Sequence, residues 1–194
     1  MQEIHLTIIN KYFSACYAFD LWNRAENKYD NLIKDIKNES YMRQYNLKTF
    51  ILPYVAIYQS LLEMHYDQNT SLKLIDQMMQ DFSNKKILLR YQKLAKLPGF
   101  FGLFKTIFKN NFKTDVWDSE INEDSEDHFV YTINKCLWHE YLSRIGSPEL
   151  CKLFCANDDI TYNNISKDLS FSRSHALGID NHACDCHFVY HKKK

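Results

Sequence analysis

The sequence predicts an α+β fold, with N-terminal helices packed on a C-terminal antiparallel sheet of about four strands holding two inserted helices. Three observations carry that expectation. Gly and Pro are scarce, 4 and 3 in 194 residues, which favours long helices joined by few turns. Apolar residues recur at three-and-four spacing through the first 113 residues. From Thr114 the period changes and segments rich in β-formers take over. At 23.2 kDa the chain is long enough to bury a real core, and residues 1–194 are expected to form a single domain, helical over 1–113 and sheet-bearing over 114–194.

From Glu3 to about Trp22, the apolar set Ile4, Ile8, Ile9, Tyr12, Phe13, Cys16 and Phe19 marks one amphipathic helix, with Cys16 as a small buried hydrophobe. A second helix is expected over Arg24–Lys37, ending at the break Asn38-Glu39-Ser40. Arg43–His65 is the most apolar stretch and reads as a central helix, kinked at Pro53 or starting there. Asn69-Thr70 offers a cap for a helix over Ser71–Leu97 that includes Phe82. After Pro98-Gly99, Phe100–Lys113 places Phe100, Phe104, Ile107, Phe108 and Phe112 on one face and Lys105, Lys109 and Lys113 elsewhere. That face is expected to pack on the sheet, the alternatives being a substrate lid or a membrane-surface helix.

Beyond Thr114, an acidic run ending at Asp127 leads into Phe129-Val130-Tyr131-Thr132-Ile133, a hairpin with its turn near Asp124-Ser125. Helices follow over Leu137–Arg144 and from Pro148 to about Asn164, Pro148 suiting a first turn. Strands are expected over Leu169–Leu177 and Cys184–His191, joined by a turn at Gly178–His182, and Lys192-Lys193-Lys194 should fray.

Charge excludes several function classes. Lys+Arg and Asp+Glu both number 24, so no global field draws the chain to nucleic acid or anionic lipid, and a small-molecule substrate or ligand is the expected partner. A homodimer stays open. The N-terminal MQEIHLTIINKYFSACYAFD lacks a secretory pattern, and no apolar run reaches the roughly 20 residues of a membrane span. The chain is therefore expected in the cytoplasm, with its six cysteines kept as thiols for metal binding, catalysis or burial.

Five of those six lie after His128: Cys136, Cys151, Cys155, Cys184 and Cys186. Cys136 falls where a strand gives way to a helix, a place where the helix dipole favours thiolate. A nucleophile, a metal ligand and a buried structural thiol are all compatible with that position. Cys151 and Cys155 stand four apart on one helix face with Asp158 a turn beyond, and Asp159 is the alternative carboxylate. Cys151 reads as packing. Strand alternation would put Arg173, His175 and Leu177 on one face, and Cys184, Cys186 and Phe188 on one face opposite Asp185 and His187. Arg173 suits a two-pronged clamp on a substrate carboxylate or an ion pair with Asp158 or Asp185, and His182 should be solvated. Cys136, Cys155 and Cys184, with His175 or Asp158, would satisfy zinc or another divalent metal by ligand count, although no pair has a diagnostic spacing.

The order of these motifs resembles the L-2-amino-thiazoline-4-carboxylic acid hydrolase family over the last third of the chain. The resemblance rests on a strand ending in Cys136, on Gly146-Ser147-Pro148-Glu149-Leu150, on Cys155 with Asp158, and on Arg173 through Cys184-Asp185. Departures fall on Ala176 (Thr in the family's strand motif), Gly178 (Ala), Asp180 (Gly) and Cys186 (usually aromatic). The resemblance implies a small hydrolase acting on a C–N or C–S bond of a cyclic amidine-like or amide-like substrate. Cys136, Cys155 and Asp158 would be catalytic, Cys136 or a metal-held water being the nucleophile, and Arg173, His175 and Cys184 would contact substrate. The layout also resembles the four-vinyl reductase type of small-molecule sensor domain, in which the cysteines would hold a structural zinc and nothing would be catalysed.

Overall fold

The computed structural model describes residues 1, 3–81 and 85–191, so Phe82 and the Lys192–Lys194 tail lie outside the described residues. The chain divides into two compact units, Met1–Ser83 and Asn84–Lys194.

In the first unit, α1 (Glu3–Tyr12) and α2 (Ala15–Asp35) replace the single helix expected over Glu3–Trp22. Ser14 breaks the run in an extended conformation and restarts it. The buried stripe of α2 is Ala18, Leu21, Ala25 and Leu32, at helical spacing. Cys16 lies about 200° from Ala18 around the helix, which corrects the expectation of burial: it is exposed. The short helix α3 (Tyr41–Asn46) runs through a π-helical turn, Leu47–Ile51, into α4 (Leu52–Glu63). Pro53 stands in the first turn of α4, where its missing N–H removes no helical bond. Every residue from Leu52 to Tyr58 is buried, so α4 is central as its all-round apolar character requires. α5 (Gln68–Met79) is capped one turn earlier than expected, Asp67 accepting the Thr70 N–H at 3.0 Å.

The second unit begins with α6 (Lys85–Leu94), so the helix expected over Ser71–Leu97 is represented by α5 and α6 in different units. Next come α7 (Phe100–Phe112), β1 (Trp117–Asp124), β2 (His128–Cys136), α8 (Leu137–Arg144) and α9 (Glu149–Asn163). β3 (Leu169–Ser172), α10 (Leu177–Asp180) and β4 (Cys184–Tyr190) complete it. The four strands form one antiparallel sheet in the order β1-β2-β4-β3, with α8 and α9 inserted as the sequence predicts.

Register sets which side chains meet. Phe129 pairs with Phe188 and Phe188 with Phe171, Tyr131 with Cys186, and Ile133 with Cys184. These residues share the inner face, while Thr132, Asp185 and His187 point to the other. α7 covers the inner face: Phe104 and Phe108 stack edgewise or tilted on Phe188 at 4.9 and 5.5 Å. α9 adds Tyr162, 5.2 Å from the same ring. Lys105 and Lys109 both reach Asp124 at the hairpin end, so the cations of α7 tie it to the sheet unit rather than forming a free basic face.

Candidate active site

The thiols converge at the end of the sheet. Cys136 closes β2 and stands, still extended, at the N-terminus of α8. Cys151 and Cys155 come from successive turns of α9, and Cys184 opens β4. The four feel one another electrostatically, Cys151 responding to Cys155, Cys136 and Cys184. α10 lies against this group so tightly that a Cβ on Gly178 would stand 2.6 Å from Cys151 Sγ and 2.9 Å from Cys155 Sγ. Glycine is therefore required there for want of space.

Their environments push the thiols apart. Burial raises Cys136 to about 12, only partly offset by the N–H groups of Trp138 and His139 in the first turn of α8. Cys136 is thus held as a thiol at neutral pH, despite the helix N-terminus. Cys155 moves the other way. The Cys151 thiol donates to it, Arg173 lies nearby and the Gly178 N–H points at its sulfur, and together these outweigh burial and the Asp158 charge and lower its pKa. Cys151, as the donor, is raised, first by that bond and then by burial. Cys184 is raised by burial while its sulfur accepts the Leu177 N–H at 3.4 Å.

Asp158 stands one turn beyond Cys155. Its side chain keeps 38% of its accessible surface, so it faces an opening, yet the surrounding protein strips hydration and raises its pKa to about 7. Arg173 opposes that rise and Asp159 adds to it. The guanidinium is 7% exposed and committed to protein: Nη2 donates to Asp159 at 2.9 Å and to the Cys155 carbonyl, and Nη1 is 3.9 Å from Asp158. Burial works against its charge, but Asp158 and Asp159 outweigh that and raise its pKa. Arg173 Nε is buried with no hydrogen-bond partner among the described residues. Of the ion pairs the sequence allowed, that with Asp158 is present, at the long end, and Asp159 is the closer partner.

The strand expected over Leu169–Leu177 stops at Ser172, which corrects the strand alternation assumed for Arg173 and His175. Asp185 causes this by accepting the backbone N–H groups of Ser174 and His175 at 2.9 and 2.6 Å, taking them out of the ladder. Arg173 turns inward. His175 lies outside the thiol group, exposed, with Nδ1 2.7 Å from Asp180. The segment read as a turn at Gly178–His182 contains α10. His182 is exposed, as expected.

Cys136, Cys151, Cys155 and Cys184 therefore gather, with Asp158 on the Cys155 side and Arg173 bracing that side. Cys136, Cys155 and Cys184 do not form a set of three ligand atoms mutually within 4.8 Å; among the described residues that condition is met by His175, Asp180 and His182. Cys151 is buried, as its reading as packing expected, and lies against Cys155 four residues on. Sequence reasoning missed Tyr162, one turn past Asp158, and Tyr91 on α6, both of which sense the Asp158 charge. A groove of about 410 Å³ lined by Leu89, Gln92, Lys93, Ala95, Lys96, Ile165 and Ser166 holds none of the thiols and neither Asp158 nor Arg173. The reactive groups, not that groove, locate the site.

No curated protein and no solved structure gives a significant match to this chain. The family model for L-2-amino-thiazoline-4-carboxylic acid hydrolase matches residues 44–188, which extends the resemblance from the last third to most of the chain. It spans α4, the aromatic layer of α7, all of the sheet but the last two residues of β4, and every residue of the thiol group. The chain belongs to the L-2-amino-thiazoline-4-carboxylic acid hydrolase family.

Proposed function

We propose that the chain hydrolyses a small cyclic amidine-like substrate, breaking a C–S or C–N ring bond through a thiolate at Cys155. The observation that carries this reading is the pairing of a thiol lowered by three neighbours with a carboxyl raised to about 7 one helical turn away. A thiol pushed down and a carboxyl pushed up, one helical turn apart, suit the roles of nucleophile and proton donor. Family membership supplies the reaction class.

For an aminothiazoline carboxylate the steps balance as follows. The Cys155 thiolate adds to ring C2, the C2–S bond breaks, and the protonated Asp158 gives its proton to the departing sulfur. The enzyme then carries an isothiourea. Asp158, now a carboxylate, takes a proton from water as the hydroxide adds to the same carbon. The remaining hydroxyl proton passes to the imine nitrogen and the Cys155–carbon bond breaks. A carbamoyl-cysteine leaves, and thiolate and acid are restored. Cys151 and the Gly178 N–H hold the thiolate between turnovers. Arg173 positions Asp158, Asp159 and the Cys155 carbonyl. With two of its nitrogens so committed, it is less suited to clamping a substrate carboxylate.

The test is turnover of L-2-amino-thiazoline-4-carboxylic acid and a panel of cyclic amidines, followed by release of free thiol or amine. Cys155→Ala should lower kcat by about 10³-fold and Asp158→Asn by roughly 10²–10⁴-fold, with Cys136→Ala much milder. Parent-like turnover by folded Cys155→Ala, or no turnover of any panel member by the parent, would sink the reading.

A further inference from the structure

We infer that His175, Asp180 and His182 form a binding site for a divalent transition-metal cation, zinc being the best chemical match. The site is separate from the thiol group and does not depend on the proposed reaction. One ligand atom from each of the three side chains lies within 4.8 Å of the other two, with His175 and His182 exposed and Asp180 half-buried. His175 Nδ1 is 2.7 Å from Asp180 Oδ2, and His182 Nδ1 is 3.6 Å from Asp180 Oδ1, so one imidazole faces each carboxylate oxygen. Zinc bonds of roughly 2.0–2.1 Å place tetrahedral ligands about 3.3 Å apart, so the group would close up around the ion.

The backbone holds this geometry. Asn181 takes a left-handed conformation, φ 62°, which reverses the chain after α10 and brings His182 back over Asp180. The two imidazole rings come within 4.9 Å, centroid to centroid. Asp180 Oδ1 accepts the backbone N–H groups of Ala176 and His182 at 3.2 and 3.1 Å, which orients the carboxylate and leaves Oδ2 toward His175. At the other end of the loop, the N–H of His175 is pinned to Asp185.

Two imidazoles and a carboxylate select against magnesium and calcium, which prefer all-oxygen shells, and favour zinc, copper or nickel. The ion would replace the proton shared between His175 and Asp180, so binding releases a proton. It would also close residues 175–182 into a clip around Gly178, the residue pressed against Cys151 and Cys155. The competing reading is a surface ion pair, His175 with Asp180, beside a solvated His182. On that reading His182 is irrelevant to metal.

Calorimetric titration of the untagged, reduced full chain with zinc chloride decides between them. One equivalent should bind with release of protons, and His182→Ala and Asp180→Asn should each weaken it by more than about tenfold, while His187→Ala leaves it unchanged. Because Asp180 also caps backbone groups, His182→Ala, at an exposed position, is the decisive variant. Cobalt separates the thiols as a source: the parent complex should lack a sulfur-to-cobalt charge-transfer band. Equal zinc affinity in His182→Ala, or a strong charge-transfer band that survives that substitution, overturns the inference.

Discussion

Among the described residues of Met1–Ser83 the fully buried side chains are mostly apolar or phenolic, led by Leu47, Ile51, Leu52, Tyr54, Tyr58 and Leu61, with Ser60 and Ser71 among them and His5 nearly so. The second unit, Asn84–Lys194, buries an equally apolar layer around Phe188 and then, at one end of the same sheet, packs thiols, a carboxyl and a guanidinium together. Desolvating ionisable groups costs free energy unless partners compensate, so packing alone gives no reason to collect them. Their concentration in one place, with pKa values driven apart, is what a reactive site needs and a scaffold does not. The family match crosses both regions, from residue 44 to 188, but the clustered thiols, Asp158 and Arg173 all lie in the second.

Truncating the apolar unit is the severest test of that contrast. Leu61 is fully buried on α4, and Leu61→Ala should lose roughly 2–5 kcal/mol of stability, through lost transfer energy and the cavity left behind. Turnover per folded molecule should stay unchanged. Denaturant unfolding with kcat/KM on the folded fraction checks both halves, and a collapse of kcat without unfolding would assign the first unit a part in the chemistry.

A smaller effect is expected where the thiol group meets α10. Gly178→Ala forces a methyl into space held by Cys151 and Cys155 sulfurs and should cost about 1–3 kcal/mol. Adding Cys151→Ala should return part of it, since one of the two sulfurs in the way is gone. If the double variant is no more stable than Gly178→Ala, the close approach read from Gly178 is not what sets the fit.

Much of this was legible beforehand because it depends on local pattern. The 3.6-residue period of Phe100–Phe112 and the β-rich run at Phe129 predicted α7 and β2 within a residue or two. Spacings of four and three residues placed Cys151, Cys155 and Asp158 on one side of a single helix. What failed depends on distant partners. β3 ends at Ser172 because Asp185, on another strand, takes the next two N–H groups, and no property of Ser174 or His175 announces that. The helix N-terminus alone favours thiolate at Cys136, but burial by the surrounding protein dominates and raises it, in line with the buried-thiol alternative. Cys16 was read as buried because the break at Ser14, which rotates the next helix, has no Gly or Pro to mark it.

The smallest predicted effect concerns Asp158 and tests the contrast at a single atom pair. Its folded pKa, about 7, lies above the ordinary carboxylate value, so the folded state holds this proton more tightly than the unfolded chain does. The resulting stability is fully present below the unfolded pKa and is lost as pH rises through about 7. Asp158→Asn, which stays neutral, should therefore gain on the parent in melting temperature progressively as pH rises from about 4 to about 7 and then level off. With 38% of the side chain exposed, solvent screening keeps the gain under about 1 kcal/mol. Parent kcat should fall as pH rises through about 7 and the proton donor is titrated away. A stability difference flat with pH would mean that Asp158 is already ionised beside Arg173, and the acid would then have to be found elsewhere in the site.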